Sequence, residues 1–166
     1  MTDRMITAVG AMRVWDSRGH PTVEVQITLS DGTTARAIAP AGASRGSREA
    51  VDLRDGGTRL KGLDVQQALA NVAGPIARAL IGRDVADQAG GDAAMIAADA
   101  SPFKSGLGGN AVVATSLAML HAAAAGRCGS IWHRPASASR PSLCPRSRFS
   151  AAGRMPGVVW MCRISW

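Results

Sequence analysis

The sequence predicts an α+β fold, in which a three-stranded antiparallel meander is followed by helices. Two observations carry this prediction. In the first part of the chain, apolar and polar residues alternate with a period of two, as they do in half-buried strands. From Asp64 onward, apolar residues recur at the spacing of a helix. Strands that come before the helices, instead of alternating with them, favour α+β over α/β.

The three strands are predicted from β-branched residues and from the turn signals between them. The first strand covers Met5 to Trp15, and the second covers Thr22 to Ser30. An Asp-Gly pair within Ser30 to Thr34 predicts a tight hairpin, from which a third strand returns. That strand ends at Pro40, because proline has no N–H to donate to a sheet.

The helices are predicted from apolar spacing after Asp64. Gly74 and Pro75 interrupt this pattern, so we expect two helices there and not one. A last helix is predicted over Ala111 to Ala125, with Asn110 as its N-cap. The apolar residues of the earlier pattern are Val65, Leu69, Val72, Ile76 and Leu80.

Charge and composition change abruptly near residue 127. Residues 1–126 hold 12 basic and 12 acidic side chains, whereas residues 127–166 hold seven Arg and no Lys, Asp or Glu. All three Cys and three of the four Trp also lie in that last segment. The sequence therefore predicts one domain over residues 1–132 and an irregular basic tail over residues 133–166.

Four longer motifs point to a family. They are DSRGHPTVEV (16–25), APAGASRGSREAVDLRDG (39–56), LIGRDVADQ (80–88) and KSGLGGNAVVATSLA (104–118). In this order and spacing they resemble the N-terminal domain of enolase, or phosphopyruvate hydratase, over about residues 4–132. The resemblance implies a homo-oligomeric, magnesium-dependent lyase of glycolysis that converts 2-phosphoglycerate to phosphoenolpyruvate and water.

The resemblance also implies a substrate loop over Ala41 to Gly46. Its substrate-loop residues would be Gly42, Ala43 and Ser44, and Ser44 would give hydroxyl and carbonyl oxygens to a second Mg²⁺, a cation that prefers oxygen ligands. Arg45 beside it would repel the cation. The chain departs from the family pattern at His20, Ala41, Arg45 and Phe103.

The catalytic residues of the family lie elsewhere. The resemblance places the acid, the base and the first magnesium ligands in an α/β barrel, a fold of about 250 residues, and 34 residues follow Trp132 here. We therefore expect no barrel and no catalytic residue in this chain. The same reasoning predicts no stable magnesium binding and no turnover by the chain alone.

The basic tail is interpreted as coding sequence translated out of register. Met and Trp each have a single codon, so several amino acids are fully determined when the coding sequence is read one nucleotide out of register. These amino acids are Ala across residues 155 and 156, Asp across 160 and 161, and Val across 161 and 162. The other codons permit Gly-Gly-Ala-His-Ala and Gln-Asp-Phe-Met, which resemble the enolase stretch that enters the barrel. The shift would fall between Trp132 and Leu143.

A nucleic-acid-binding protein is the alternative function. The Arg side chains of the tail could neutralise phosphates, and its Trp side chains could stack on bases. The out-of-register interpretation explains the same residues without selection for binding, so we favour the enolase-like function.

Three other patterns have structural explanations. GLGGNA (106–111) lacks the full spacing of a dinucleotide fingerprint, and Asp16 to Pro21 is a run of turn-forming residues. The third pattern is a possible set of zinc ligands, whose spacing in the sequence matches no compact zinc site. Its residues are Cys128, His133, Cys144 and Cys162.

Membrane association is not predicted. The N-terminus has no long apolar stretch after its charges, unlike a secretory signal. The longest apolar stretch, NAVVATSLAMLHAAAAG, is shorter than the roughly 20 residues that span a bilayer. We therefore expect a cytoplasmic protein.

Overall fold

A computed structural model describes residues 4–39, Gly42 and residues 46–132, with side chains described as far as Ala125. The chain divides into two units, Met1–His133 and Arg134–Trp166, and all described residues belong to the first. The predicted irregular tail over residues 133–166 lies outside the described residues.

The sheet is the predicted antiparallel meander. Strand β1 spans Ile6–Trp15, β2 spans Pro21–Leu29 and β3 spans Thr34–Ile38, in the order β1-β2-β3. Val25 is paired with Ala11 on one side and Ala37 on the other. The α+β prediction is thereby confirmed.

Helices follow the sheet. They are α1 (Gln66–Asn71), α2 (Ala77–Leu80), α3 (Gln88–Ala98) and α4 (Gly109–Trp132), with a short 3₁₀ turn at Arg59–Gly62. The predicted interruption at Gly74 and Pro75 takes the form of a π-helical turn between two α-helices, and the chain does not leave the helix there. A π-helical turn over Val72–Ile76 joins α1 to α2, and Ala77 N–H bonds to the Val72 carbonyl. This wider turn accommodates the proline without ending the helix.

Helix α3 was not predicted from the sequence. Its N-cap is Asp87, whose Oδ1 accepts a hydrogen bond from Gly90 N at 2.9 Å. Few of its residues are buried, so its apolar periodicity is weak; the buried ones are Gly91 and Met95. A Cβ on Gly91 would lie 2.3 Å from Met119 Cε, so α3 packs closely against α4.

The core lies between one face of the sheet and the helices. Helix α4 packs on β2 and β3, and α1 and α2 lie against β1. The alternating residues Val23, Val25 and Ile27 are fully buried in it, as the pattern of β2 predicts. The buried face of the sheet therefore holds the end of β3 in place, and the predicted substrate loop follows that strand.

Candidate functional site

The predicted substrate loop leaves the sheet at a fixed point. Ala39, just after β3, is 3% exposed. Its N–H donates to the Val23 carbonyl at 3.0 Å, and Thr22 Oγ1 donates to the Ala39 carbonyl at 2.7 Å. Both backbone groups of Ala39 are thus held, and the first end of the loop cannot shift without breaking the sheet.

The chain beyond the loop, at Val51 to Leu53, is held by the start of α4. Val51 N–H donates to the Phe103 carbonyl at 2.9 Å, and Gly109 N–H donates to the Val51 carbonyl at 2.8 Å. Asn110 Oδ1 accepts from Leu53 N at 3.2 Å, while its Nδ2 donates to the Leu53 carbonyl at 3.1 Å. One side chain therefore satisfies both backbone groups of Leu53.

Asn110 is not the predicted N-cap. Helix α4 begins one residue earlier, at Gly109, and the N–H groups that Asn110 Oδ1 accepts belong to Leu53 and Ala111. The prediction failed because the side chain has a partner that is distant in the sequence. Sequence reasoning likewise missed Thr22 and its bond to Ala39.

The glycines before α4 allow this close approach. A Cβ on Gly108 would lie 2.6 Å from Leu53 Cβ, and a Cβ on Gly109 would lie 2.8 Å from Ala50 Cβ. Gly108 also has a φ of +93°, which favours glycine. The GLGGNA motif therefore lies at the start of α4 and packs closely against residues 50–53.

A cavity of about 270 Å³ lies beside this second anchor. Phe103 and Val51 line it and remain 45% and 41% exposed. The other lining residues are Gly46, Ser47, Glu49 and Ala50. Of the predicted substrate-loop residues, Gly42 is described and exposed, whereas Ala43 and Ser44 lie outside the described residues.

Asp99 organises the loop that leads into α4. Its Oδ2 accepts from Gly106 N at 2.9 Å and Leu107 N at 2.8 Å, and its Oδ1 accepts from Ser101 N at 3.0 Å. Asp99 is 8% exposed. The Ser101 hydrogen bonds and the two other N–H groups outweigh desolvation and lower the pKa of Asp99 to about 2.

Asp64 joins β1 to the segment after the loop. Both of its carboxylate oxygens accept from Arg13 Nη1, at 2.9 and 3.0 Å, and Arg59 Nε lies 3.0 Å from Oδ2. Desolvation would raise the pKa of Asp64, but hydrogen bonds from Arg13 and from Val65 N–H outweigh it and lower the pKa. The carboxylate is therefore ionised and acts as a structural link.

The turn at Asp16 is also structural. Asp16 Oδ1 accepts from both Arg18 N and His20 N at 2.8 Å, and the bond from His20 is the largest of the interactions that lower its pKa. These bonds close the chain between β1 and β2. The turn interpretation of Asp16 to Pro21 fits this geometry.

The described residues do not by themselves form a metal site or a membrane span. Among them, no group of three or more His, Cys, Asp or Glu side chains could hold an ion. Within the same part of the chain, no helix has the length and apolar character needed to cross a bilayer. The four residues of the rejected zinc pattern fall outside the described side chains.

Comparison with known proteins agrees with the four motifs. The family pattern described as "Enolase, N-terminal domain" matches residues 6–133. The chain is 52% identical over 119 residues to Enolase 1 of Lactococcus lactis subsp. cremoris (strain SK11). It is equally identical, over the same length, to Enolase 2 of Lactobacillus johnsonii (strain CNCM I-12250 / La1 / NCC 533).

Each of these alignments covers 72% of this chain and 28% of the relative. The chain therefore spans 28% of the length of these two curated relatives. The part that the family pattern matches, residues 6–133, contains the sheet, the two loop anchors and all of α4. By its sequence and its fold, this chain belongs to the enolase family and carries the N-terminal domain of that family.

Proposed function

We propose that this chain supplies the substrate loop of an enolase-type lyase, which dehydrates 2-phosphoglycerate to phosphoenolpyruvate in the cytoplasm. The observation that carries the proposal is the pair of anchors at Ala39 and at Val51 to Leu53. They hold the chain on either side of the segment that resembles the family's loop. A loop whose flanking residues are fixed can close over a substrate and reopen.

In this proposal Gly42, Ala43 and Ser44 are the substrate-loop residues. Ser44 would offer its hydroxyl and carbonyl oxygens to a second Mg²⁺, in keeping with the preference of that ion for oxygen. A serine alone does not make a magnesium site, because Mg²⁺ gives up its water reluctantly and is usually held by carboxylates as well. The remaining ligands, the acid and the base would come from the family's barrel.

We propose that the 166-residue chain has no turnover by itself. The described residues offer no cluster of metal ligands, and their resolved pKa shifts all favour ionised carboxylates. Removing a proton next to a carboxylate needs a positioned base and cations that stabilise the developing charge. The chain would contribute to catalysis when it is joined to the rest of the enzyme.

A chimera tests this function. The 119 matched residues of Lactococcus lactis Enolase 1 are replaced by those of this chain, and phosphoenolpyruvate formation is followed by absorbance. We expect turnover, with Ser44→Ala slowing it on the order of 100-fold through the misplaced loop. Ser47→Ala, on the same segment, is the matched control and should retain activity. A folded chimera without turnover, or equal loss in both variants, would contradict the proposal.

We further propose that residues 133–166 are an irregular tail translated out of register. The forced letters and the permitted Gly-Gly-Ala-His-Ala stretch support this. Sequencing the coding DNA across codons 130–145 tests it, because a one-nucleotide correction should restore the family's barrel-entry sequence. If neither a single insertion nor a single deletion yields that sequence, the tail has another origin.

A further inference from the structure

Arg54 directly follows Leu53, in the chain beyond the substrate loop. Its side chain is largely buried, at 16% exposure. Its Nη1 donates to two backbone carbonyls from different parts of the chain, those of Pro21 and Leu63, the second at 2.9 Å. Because the donors of a guanidinium are arranged in a rigid plane, this side chain holds separate segments in a fixed geometry.

The Pro21 carbonyl belongs to the strand that holds the first anchor of the loop. Pro21 begins β2, and the next residue, Thr22, donates to the Ala39 carbonyl. Val23 of the same strand accepts from Ala39 N–H. Strand β2 is the central strand of the sheet and is bonded on both sides. Arg54 therefore binds the strand to which the beginning of the loop is attached.

The main chain of Arg54 is continuous with the second anchor. Leu53 precedes it, and Asn110 bonds to both backbone groups of Leu53. Asp52 Oδ2 lies 3.6 Å from Arg54 Nη2, so a residue of the second anchor also orients the guanidinium. The side chain of Arg54 thus binds one anchor, while its backbone extends from the other.

We propose that Arg54 is a positioning residue for the substrate loop, because it fixes the separation between the two anchors. A continuous path of hydrogen bonds and peptide bonds joins the anchors without passing through residues 40–52. The path runs through Ala39, Thr22, Pro21, Arg54, Leu53 and Asn110. The effect on turnover rests on the proposed function, whereas the coupling between the anchors does not depend on it.

The acceptors around this guanidinium favour arginine over other side chains. Nη1 donates to the carbonyls of Pro21 and Leu63, while Nη2 faces Asp52. The Leu63 carbonyl is itself held in place, because the next residue, Asp64, binds Arg13 of β1. A lysine directs a single ammonium group at these acceptors and should hold the anchors less firmly. A methionine of similar length has no N–H to donate and should not hold them.

Hydrogen exchange of the full 166-residue chain tests the coupling between the anchors. Thr22→Val removes the bond to the Ala39 carbonyl at the first anchor, and exchange is read at Leu53 N–H in the second. We expect Thr22→Val to accelerate that exchange on the order of fivefold, and to have no such effect in a chain that also carries Arg54→Met. Continued protection of the Val25 amide shows that each variant is folded. An unchanged Leu53 amide, or equal acceleration with and without Arg54, would refute the coupling.

Turnover of the chimera with the rest of the Lactococcus lactis relative tests the positioning role. Arg54→Met should lower kcat on the order of tenfold and change KM for 2-phosphoglycerate by roughly twofold or less, because the loop acts after the substrate has bound. Arg54→Lys should recover part of kcat.

Arg83→Met is the matched control, since Arg83 Nε donates to a carbonyl only four residues away, that of Ala79, at 2.7 Å. We expect this variant to keep the kcat of the chimera. A change in KM alone, or an equal loss of kcat in Arg83→Met, would overturn the positioning role. A folded chimera that fails to turn over with Arg54 intact would contradict the proposed function instead, and the exchange experiment would still decide the coupling.

Discussion

The hairpin turn between β2 and β3 and the loop that leads into α4 are both organised by an aspartate, yet they differ in reach. Asp31 Oδ1 accepts from Thr33 N at 2.8 Å, two residues away on an exposed turn. Asp99 is buried and holds residues up to eight positions later. Hydrogen bonds, from Thr33 to Asp31 and from Ser101 to Asp99, lower the pKa of each carboxyl to about 2. The two carboxylates are therefore ionised to a similar extent. They differ in burial, and we expect the buried Asp99 to contribute more to the stability of the fold.

Removing the buried carboxylate should have the largest effect. Asp99→Ala leaves the N–H groups of Ser101, Gly106 and Leu107 without their acceptor. The Leu107 bond is buried and the other two are partly buried, and an unsatisfied buried group costs about 1–3 kcal/mol. We expect the free energy of unfolding to fall by about 3 kcal/mol or more, measured by urea denaturation. Asp99→Asn keeps one acceptor oxygen and should lose less. A change in the alanine variant no larger than that of Asp31→Ala would contradict the comparison.

The second anchor of the substrate loop should show the next largest effect. Asn110→Ala removes both bonds to Leu53 and should lower the free energy of unfolding by about 1–3 kcal/mol. Hydrogen exchange at Leu53 N–H should accelerate in this variant, whereas exchange in β2 should not. Unchanged exchange at Leu53 would show that Asn110 does not hold the loop end.

Acid should destabilise the domain within a defined window. The unfolded carboxyls bind protons near the usual value of 3.8, while folded Asp99 and Asp31 do so only at about 2, so falling pH favours the unfolded chain. Thermal melts should show stability that is retained above about pH 4 and lost from there toward pH 2. Asp99→Asn should flatten this loss more than Asp31→Asn, because solvent screens the exposed turn. If both variants reduced the acid-induced loss of stability equally, the expected difference between buried Asp99 and exposed Asp31 would be contradicted.

The smallest effect is expected at the hairpin. Asp31→Ala removes an exposed bond to Thr33 and an ion pair with Arg4 at 2.8 Å, and exposed pairs contribute little. The hairpin is also closed by the Leu29 to Thr33 backbone bond, which does not need Asp31. The urea midpoint should stay close to that of the wild-type chain, and a shift that matched Asp99→Ala would contradict this.

The predictable parts of the fold were those encoded by neighbouring residues. The alternation of β2, the Asp-Gly hairpin and the Asp16 turn each involve contacts within a few positions. The contacts that escaped prediction are long-range: Asn110 holds Leu53 across 57 positions, and Asp55 accepts from Gln66 N–H and so caps α1 from 11 positions away. Neither contact could be predicted from a periodic pattern in the sequence, because the tertiary fold brings these residues together.

The same division between local signals and long-range contacts applies to the candidate site. The motif around Gly42 to Ser44 predicts a substrate loop by its resemblance to the family, while the residues that hold the chain beside it, Thr22 and Asn110, were not singled out for this role by any motif. Their roles depend on where β3 ends and where α4 begins. The resemblance therefore predicts a substrate loop, and the folded chain was needed to find the residues that hold the chain on either side of it.

The most direct test of the proposed function measures phosphoenolpyruvate absorbance with the purified 166-residue chain, 2-phosphoglycerate and a series of Mg²⁺ concentrations. We predict no formation above background at any Mg²⁺ concentration, whereas the chimera with the rest of the Lactococcus lactis relative should turn over in the same assay. Turnover by the 166-residue chain that falls in Ser44→Ala would contradict the proposed function, because this chain would then build a complete site by itself.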